Sequence, residues 1–146
     1  MKMIVFGTRP EIIKLYPVIK QMKNAYLVWT GQHDELANQM LKDFKIKPNE
    51  SLNVMTKNQS LTSLTIRLHR ELSKVYLRLK PELVIVQGDT TSAMVAALEA
   101  FYHKIPVSHV EAGLRTNDIY APFPEEVNRR IITQISSYNF SPTLTA

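Results

Sequence analysis

All four glycines of this 146-residue chain close a short apolar run: MIVFG ends at Gly7, YLVWTG at Gly31, ELVIVQG at Gly88 and IPVSHVEAG at Gly113. Runs of this length, rich in Val, Ile and aromatic residues and cut off by glycine, read as buried strands. Segments with helical spacing lie between them. Strands separated by helices pair in parallel through crossovers rather than as hairpins. The expected fold is therefore α/β, with a doubly wound, mostly parallel, Rossmann-like sheet in a single domain over residues 1–146. In such a sheet the strand ends share one edge, where open α/β folds hold their ligands.

Composition narrows the function. Apolar residues make up 45% of the chain and charged residues 21%, so it is neither disordered nor fibrous. No run of about 18 apolar residues is present, and the start MKMIVFGTRPE lacks the layout of a signal peptide. A cytoplasmic protein with no membrane partner is expected. Without cysteine there are no disulfides, thiolate nucleophiles or cysteine-bound zinc. The four histidines, at 33, 69, 103 and 109, show no HExxH or other close ligand spacing, so no metal is expected. The +5 excess of basic residues is scattered, with neither a basic run nor an RNP-like aromatic motif, so nucleic acid is not an expected partner. A small anionic ligand, or simply a solvated surface, suits that excess.

The elements follow in order. After Gly7, Thr8 can cap a helix, Pro10 sits at a permissive first-turn position and Glu11 complements the positive helix end, with Ile12, Ile13, Tyr16 and Ile19 as the buried stripe. A helix over 34–44, a short strand from Leu52 to Met55 and a long amphipathic helix over 61–79 come next. Leu64, Leu68, Leu72, Val75 and Leu79 give that long helix its apolar face, and Pro81 stops it. A small-residue helix over 90–104, a loop over 114–123, a helix opened by Pro124 and a last strand in 138–143 complete the pattern.

Chemistry gathers behind the glycines. Gly7-Thr8-Arg9 before a helix start offers backbone N–H groups, a dipole end and a guanidinium, which suit a phosphate or similar anion. Turn geometry alone would also explain a glycine there. Neither GxGxxG nor a P-loop is present, so NAD(P) and ATP binding by those motifs are not expected. Asp89, Glu111 and Glu125 each stand at a strand end or a helix start. If they converge, repulsion and burial would raise at least one pKa and set a proton donor beside an acceptor, with Lys14, Arg115 and Arg129 holding the others ionised. Glu125 and Glu126 have a second reading, as complements of a helix N-terminus paired with Arg129 and Arg130 four residues on. For Glu126 with Arg130 that structural reading is the better one; Asp89 and Glu111 read as functional. His69 and His103 read as surface or packing residues and His109 as part of the packing layer, leaving His33 as the one histidine near the edge.

FGTRPEIIK (6–14), TGQH (30–33), QGDTTS (87–92), HVEAGLRT (109–116), PFPEEVNRR (122–130) and FSPT (140–143) together resemble the N-terminal half of the non-hydrolysing UDP-N-acetylglucosamine 2-epimerases. The resemblance implies a glycosyltransferase-B-like architecture of two Rossmann-like domains, the second of them absent here. It implies interconversion of UDP-N-acetylglucosamine and UDP-N-acetylmannosamine for cell-envelope polysaccharide synthesis, by elimination and re-addition of UDP, with no metal or redox cofactor. Asp89, Glu111 and Glu125 would then be the acid/base carboxylates, Lys14 and Arg129 would arrange charge around them, and Arg9 would join Lys14, Asp89 and Glu111 in binding the UDP-sugar. Gln32, His33 and Arg67 would help hold a second, activating UDP-N-acetylglucosamine, although Glu35 departs from the amide usual nearby.

Three alternatives stay open beside that reading. The hydrolysing epimerases are a neighbouring branch, although GTRPE followed by IIK looks more like the non-hydrolysing one. A separate chain could supply the second domain. The chain could also be a non-catalytic binding or interaction module, dimerising through the helices over 34–44 and 61–79. As an isolated half it is expected to be inactive, because an open cleft loses preorganisation and desolvation together.

Overall fold

Strand β1 (Lys2–Phe6) alternates its side chains between two cores. Met3 and Val5 point into one, Ile4 and Phe6 into the other, and all four are buried. A strand buried on both faces needs a helical layer on each side, and the computed structural model provides both. It describes residues 1–31, 35–54, 56, 58–144 and 146. After β1 come α1 (Arg9–Gln21), β2 (Tyr26–Trp29), α2 (Glu35–Asp43) and β3 (Glu50–Ser51). The chain continues through α3 (Leu61–Leu79), β4 (Leu83–Gln87), α4 (Thr91–Tyr102), β5 (Val107–Val110), α5 (Glu125–Ile135) and β6 (Tyr138–Phe140).

Among the described residues the strands form one six-stranded sheet in the order β3-β2-β1-β4-β5-β6, every pair parallel. From β1 the chain winds outward through β2 and β3; from β4 it winds the other way through β5 and β6, with α1 and α2 on one face and α3, α4 and α5 on the other. This is the expected doubly wound Rossmann-like arrangement, and its winding reverses between β1 and β4.

The α3 seam is as read: Leu64, Leu68, Leu72 and Val75 are buried, Ser60 caps the start by accepting from the Ser63 N–H at 3.1 Å, and Lys80 ends it in a left-handed conformation (φ 46°). Each buried leucine contributes about 2 kcal/mol of apolar burial. The small face of α4 (Ser92, Ala93, Ala96, Ala97, Ala100) lies flush against the sheet and α3, close enough for the Tyr76 hydroxyl to donate to the Ala96 carbonyl at 3.1 Å.

Two expectations change. The strand placed at Leu52 to Met55 is instead Glu50–Ser51, paired with Val28 and Trp29; Met55 lies outside the described residues. In α1 Ile13 is 51% exposed and Leu15 takes its place against the sheet, since Ile12, Leu15 and Ile19 share a face that Ile13 leaves by one residue's rotation. No described helix is long and apolar enough to cross a membrane.

Candidate active site

Because the winding reverses between β1 and β4, the loops leaving them part and open a crevice of about 170 Å³. Lys14, Glu11, Gln87, Asp89, Thr90 and Glu111 are among its lining residues. Larger grooves exist, but one of about 470 Å³ lies at the other end of the strands, around Met1, Gln21 and Glu82, away from these groups.

Glu111 directly follows β5, and its carboxylate accepts from Lys14 Nζ of α1 at 2.6 and 2.7 Å and from Gln87 Nε2 at the end of β4. Its backbone is left-handed (φ 64°), a conformation that costs a non-glycine residue of this kind of order 1 kcal/mol and that recurs at functional sites. Asp89 sits just beyond Gly88, whose φ of 73° turns the chain out of β4. Three side chains fix this turn. His109 Nε2 donates to the Gly88 carbonyl at 2.7 Å, Asn128 Nδ2 donates to the Asp89 carbonyl at 2.9 Å, and the Arg129 guanidinium grips Asp89 Oδ2, with Nε at 3.2 Å and Nη2 closer still. Burial holds the His109 ring below its usual pKa, against the pull of its bond to Gly88, so the ring is a neutral donor locked to a carbonyl.

Asp89 and Glu111 thus line one crevice, but each has its own cation, where mutual repulsion was the expectation. The carboxyl that burial pushes up is that of Glu11, 1% exposed, against the lowering effect of bonds from Gly7, Thr8 and Thr90. Its Oε2 accepts from the backbone N–H groups of Gly7 at 2.8 Å and Thr8 at 2.6 Å. These are the N–H groups that the Gly-Thr-Arg turn was expected to offer to a phosphate. Glu11 occupies them, so the anion at this turn is the chain's own. Sequence reasoning placed Glu11 only as a complement to the helix end; a Thr8-x-x-Glu11 capping spacing was the available signal. Gln87, polar at the end of an otherwise apolar run, was the signal for a second partner of Glu111 beside Lys14.

The other predicted residues scatter. Glu125 starts α5, half-buried, and makes no side-chain hydrogen bond or ion pair with a described residue; it does not line the crevice. Glu126 turns inward instead, fully buried and paired with Arg130 at 2.8 Å, the structural role read for it. Arg9 is exposed at the first position of α1. Arg115 donates to the Leu114 carbonyl rather than to a carboxylate. Arg67 is drawn onto Thr56, Gln59 and Ser63, while Gln32 and His33 lie outside the described residues. His69 and His103 share Glu99 on the α3–α4 seam, at 2.7 and 2.9 Å.

The family model for UDP-N-acetylglucosamine 2-epimerase matches residues 19–146. The chain belongs to the UDP-N-acetylglucosamine 2-epimerase family. It is 46% identical over 147 residues to the UDP-N-acetylglucosamine 2-epimerase of Escherichia coli K12, covering 97% of this chain and 39% of that protein. It superposes on the Neisseria meningitidis UDP-GlcNAc 2-epimerase, solved bound to UDP-GlcNAc, with a TM-score of 0.94 and 46% identity over 99% of this chain and 41% of that one. Acinetobacter baumannii MurG, 14% identical with a TM-score of 0.69, shares the fold. The chain thus spans about two-fifths of the length of these epimerase relatives, and the crevice with its Lys14–Glu111 and Asp89–Arg129 pairs falls within the shared stretch.

Proposed function

We propose that this chain is the carboxylate-bearing half of a cytoplasmic, non-hydrolysing UDP-N-acetylglucosamine 2-epimerase. The observation that carries the reading is that Asp89 and Glu111 line one crevice at the point of reversed winding, each beside a cation from another element. Family membership and the relative solved with UDP-GlcNAc support it.

Inversion at C2 of the sugar requires a base to take a carbon-bound proton, an acid to return one on the opposite face, and positive charge to steady the departing diphosphate. In this reading Asp89 and Glu111 exchange protons with the sugar, one acting as carboxylate and the other as carboxylic acid, and Lys14 and Arg129 arrange the charge around them. UDP leaves to give a 2-acetamidoglucal, and re-adds after the proton has returned. Lys14 and Arg9 help bind the substrate. Glu125 is the third carboxylate, in use where the sugar reaches from the crevice to the start of α5. Arg67, with Gln32 and His33, serves a second UDP-sugar that activates the enzyme.

A second lobe completes the cleft, on a longer polypeptide, on a separate chain or in a dimer; the 146 residues alone bind without turnover. The test is to mix the chain with the remaining portion of an epimerase relative in D2O and follow the C2 proton of UDP-N-acetylglucosamine. Loss of that signal only in the mixture, and its absence with Asp89→Asn, is the expected result. Full exchange with Asp89→Asn would remove Asp89 from the mechanism.

A further inference from the structure

Glu11 does more than cap its own helix. A capping glutamate needs only the N–H groups of its own first turn, and Glu11 Oε2 takes those of Gly7 and Thr8. Its second oxygen, Oε1, accepts from the Thr90 hydroxyl at 2.9 Å, across 79 residues of sequence. Thr90 is the N-cap of α4 and accepts in turn from the Ala93 N–H at 3.0 Å. One buried carboxylate, with no cation on it among the described residues, therefore ties the N-terminus of α1 to the N-terminus of α4 across the crevice.

Both tied segments carry site residues. Lys14, one turn beyond Glu11, holds Glu111, and Asp89, the residue before Thr90, is held by Arg129. We infer that Glu11 is a positioning residue: through Thr90 it sets the Asp89 turn at a fixed distance from the Lys14–Glu111 pair, without touching the sugar itself. A carboxylate bonded only to N–H and O–H groups is a rigid spacer, since its two oxygens are fixed relative to each other and the burial that surrounds it leaves no water to substitute for a lost partner. The inference rests on the reading of the crevice as the UDP-sugar site.

The test separates the two. In the ligand-free chain, solvent exchange of the Arg129 Nε proton is measured by NMR against the Ile85 amide, which sits in the sheet core and reports global opening. Thr90→Val removes the hydroxyl, Glu11→Ala removes the carboxylate, and Glu11→Gln, which keeps its volume but not its charge, replaces Glu11→Ala should that variant not fold. Either change is expected to speed Arg129 exchange relative to Ile85 about tenfold, the combination no further, and Thr90→Ser to leave it unchanged. Unaltered relative exchange in the Glu11 variant, or effects that add in the combination, would overturn the clamp. UDP-N-acetylglucosamine is then titrated into the same samples. Affinity lower by about tenfold in Thr90→Val and retained in Thr90→Ser supports the positioning role, and equal affinity in both overturns it. A wild-type chain that binds none of the sugar nucleotide would remove the substrate reading, while the exchange ratio still decides the clamp.

Discussion

Lys14 Nζ lies 2.6 Å from Glu111 Oε1 and 2.7 Å from Oε2, joining the second turn of α1 to the residue after β5 across 97 positions of sequence. The lysine side chain is 48% exposed and the glutamate 24%. A pair so open to water adds little stability, and its value is in placing charge at the crevice.

Lys14→Met should accordingly lower stability by less than about 1 kcal/mol while weakening UDP-N-acetylglucosamine binding about tenfold, the worth of one charge-assisted contact. Thermal denaturation and a titration on the same sample check both parts. A large stability loss with unchanged affinity would make the pair structural.

Glu126 gives a pH signature. Burial alone would raise its carboxyl, but the Thr116 N–H, Arg130 and Arg129 outweigh that and hold it below the ordinary value of 4.5. A carboxyl depressed in the folded state contributes stability that is present above the unfolded value and lost as pH falls through the folded one. Wild type should therefore exceed Glu126→Gln in denaturation midpoint at pH 7, with the gap closing only below about pH 4.5. A gap independent of pH would contradict the ion-paired assignment.

Glu11 should show the opposite slope. Burial raises its folded-state carboxyl above 4.5, so its favourable contribution is complete below that value and declines as pH rises through the folded one. The stability of wild type relative to Glu11→Gln should fall between pH 4 and neutrality. Midpoints measured across that range decide it, and an advantage that grows with pH would contradict the direction.

Much of this architecture was legible because it is local. The α3 helix over Leu61–Leu79 follows from leucine spacing and a following proline, and the strand ends follow from the four glycines. The order of strands was not legible beyond its class, since pairing between β1 and β4 joins segments about 80 positions apart. The site was half legible. Asp89 and Glu111 stand where a parallel sheet must present them, at strand ends on one edge. Glu125 was a matter of helical phase: Glu126 lies on the buried side of α5, where Arg129 and Arg130, three and four positions on, reach its carboxylate, and Glu125 is rotated away from it. Glu11 and Thr90 were invisible as a pair because nothing in either segment shows that the other lies against it.

In the proposed function the crevice between β1 and β4 takes a UDP-sugar. Proton NMR of UDP-N-acetylglucosamine titrated with this chain in D2O tests it most directly. Broadened sugar lines with undiminished C2 proton intensity are expected for the chain alone, and sharp lines with Lys14→Met at the same concentration. Sharp, unshifted lines with the unaltered chain at saturating concentration would contradict it.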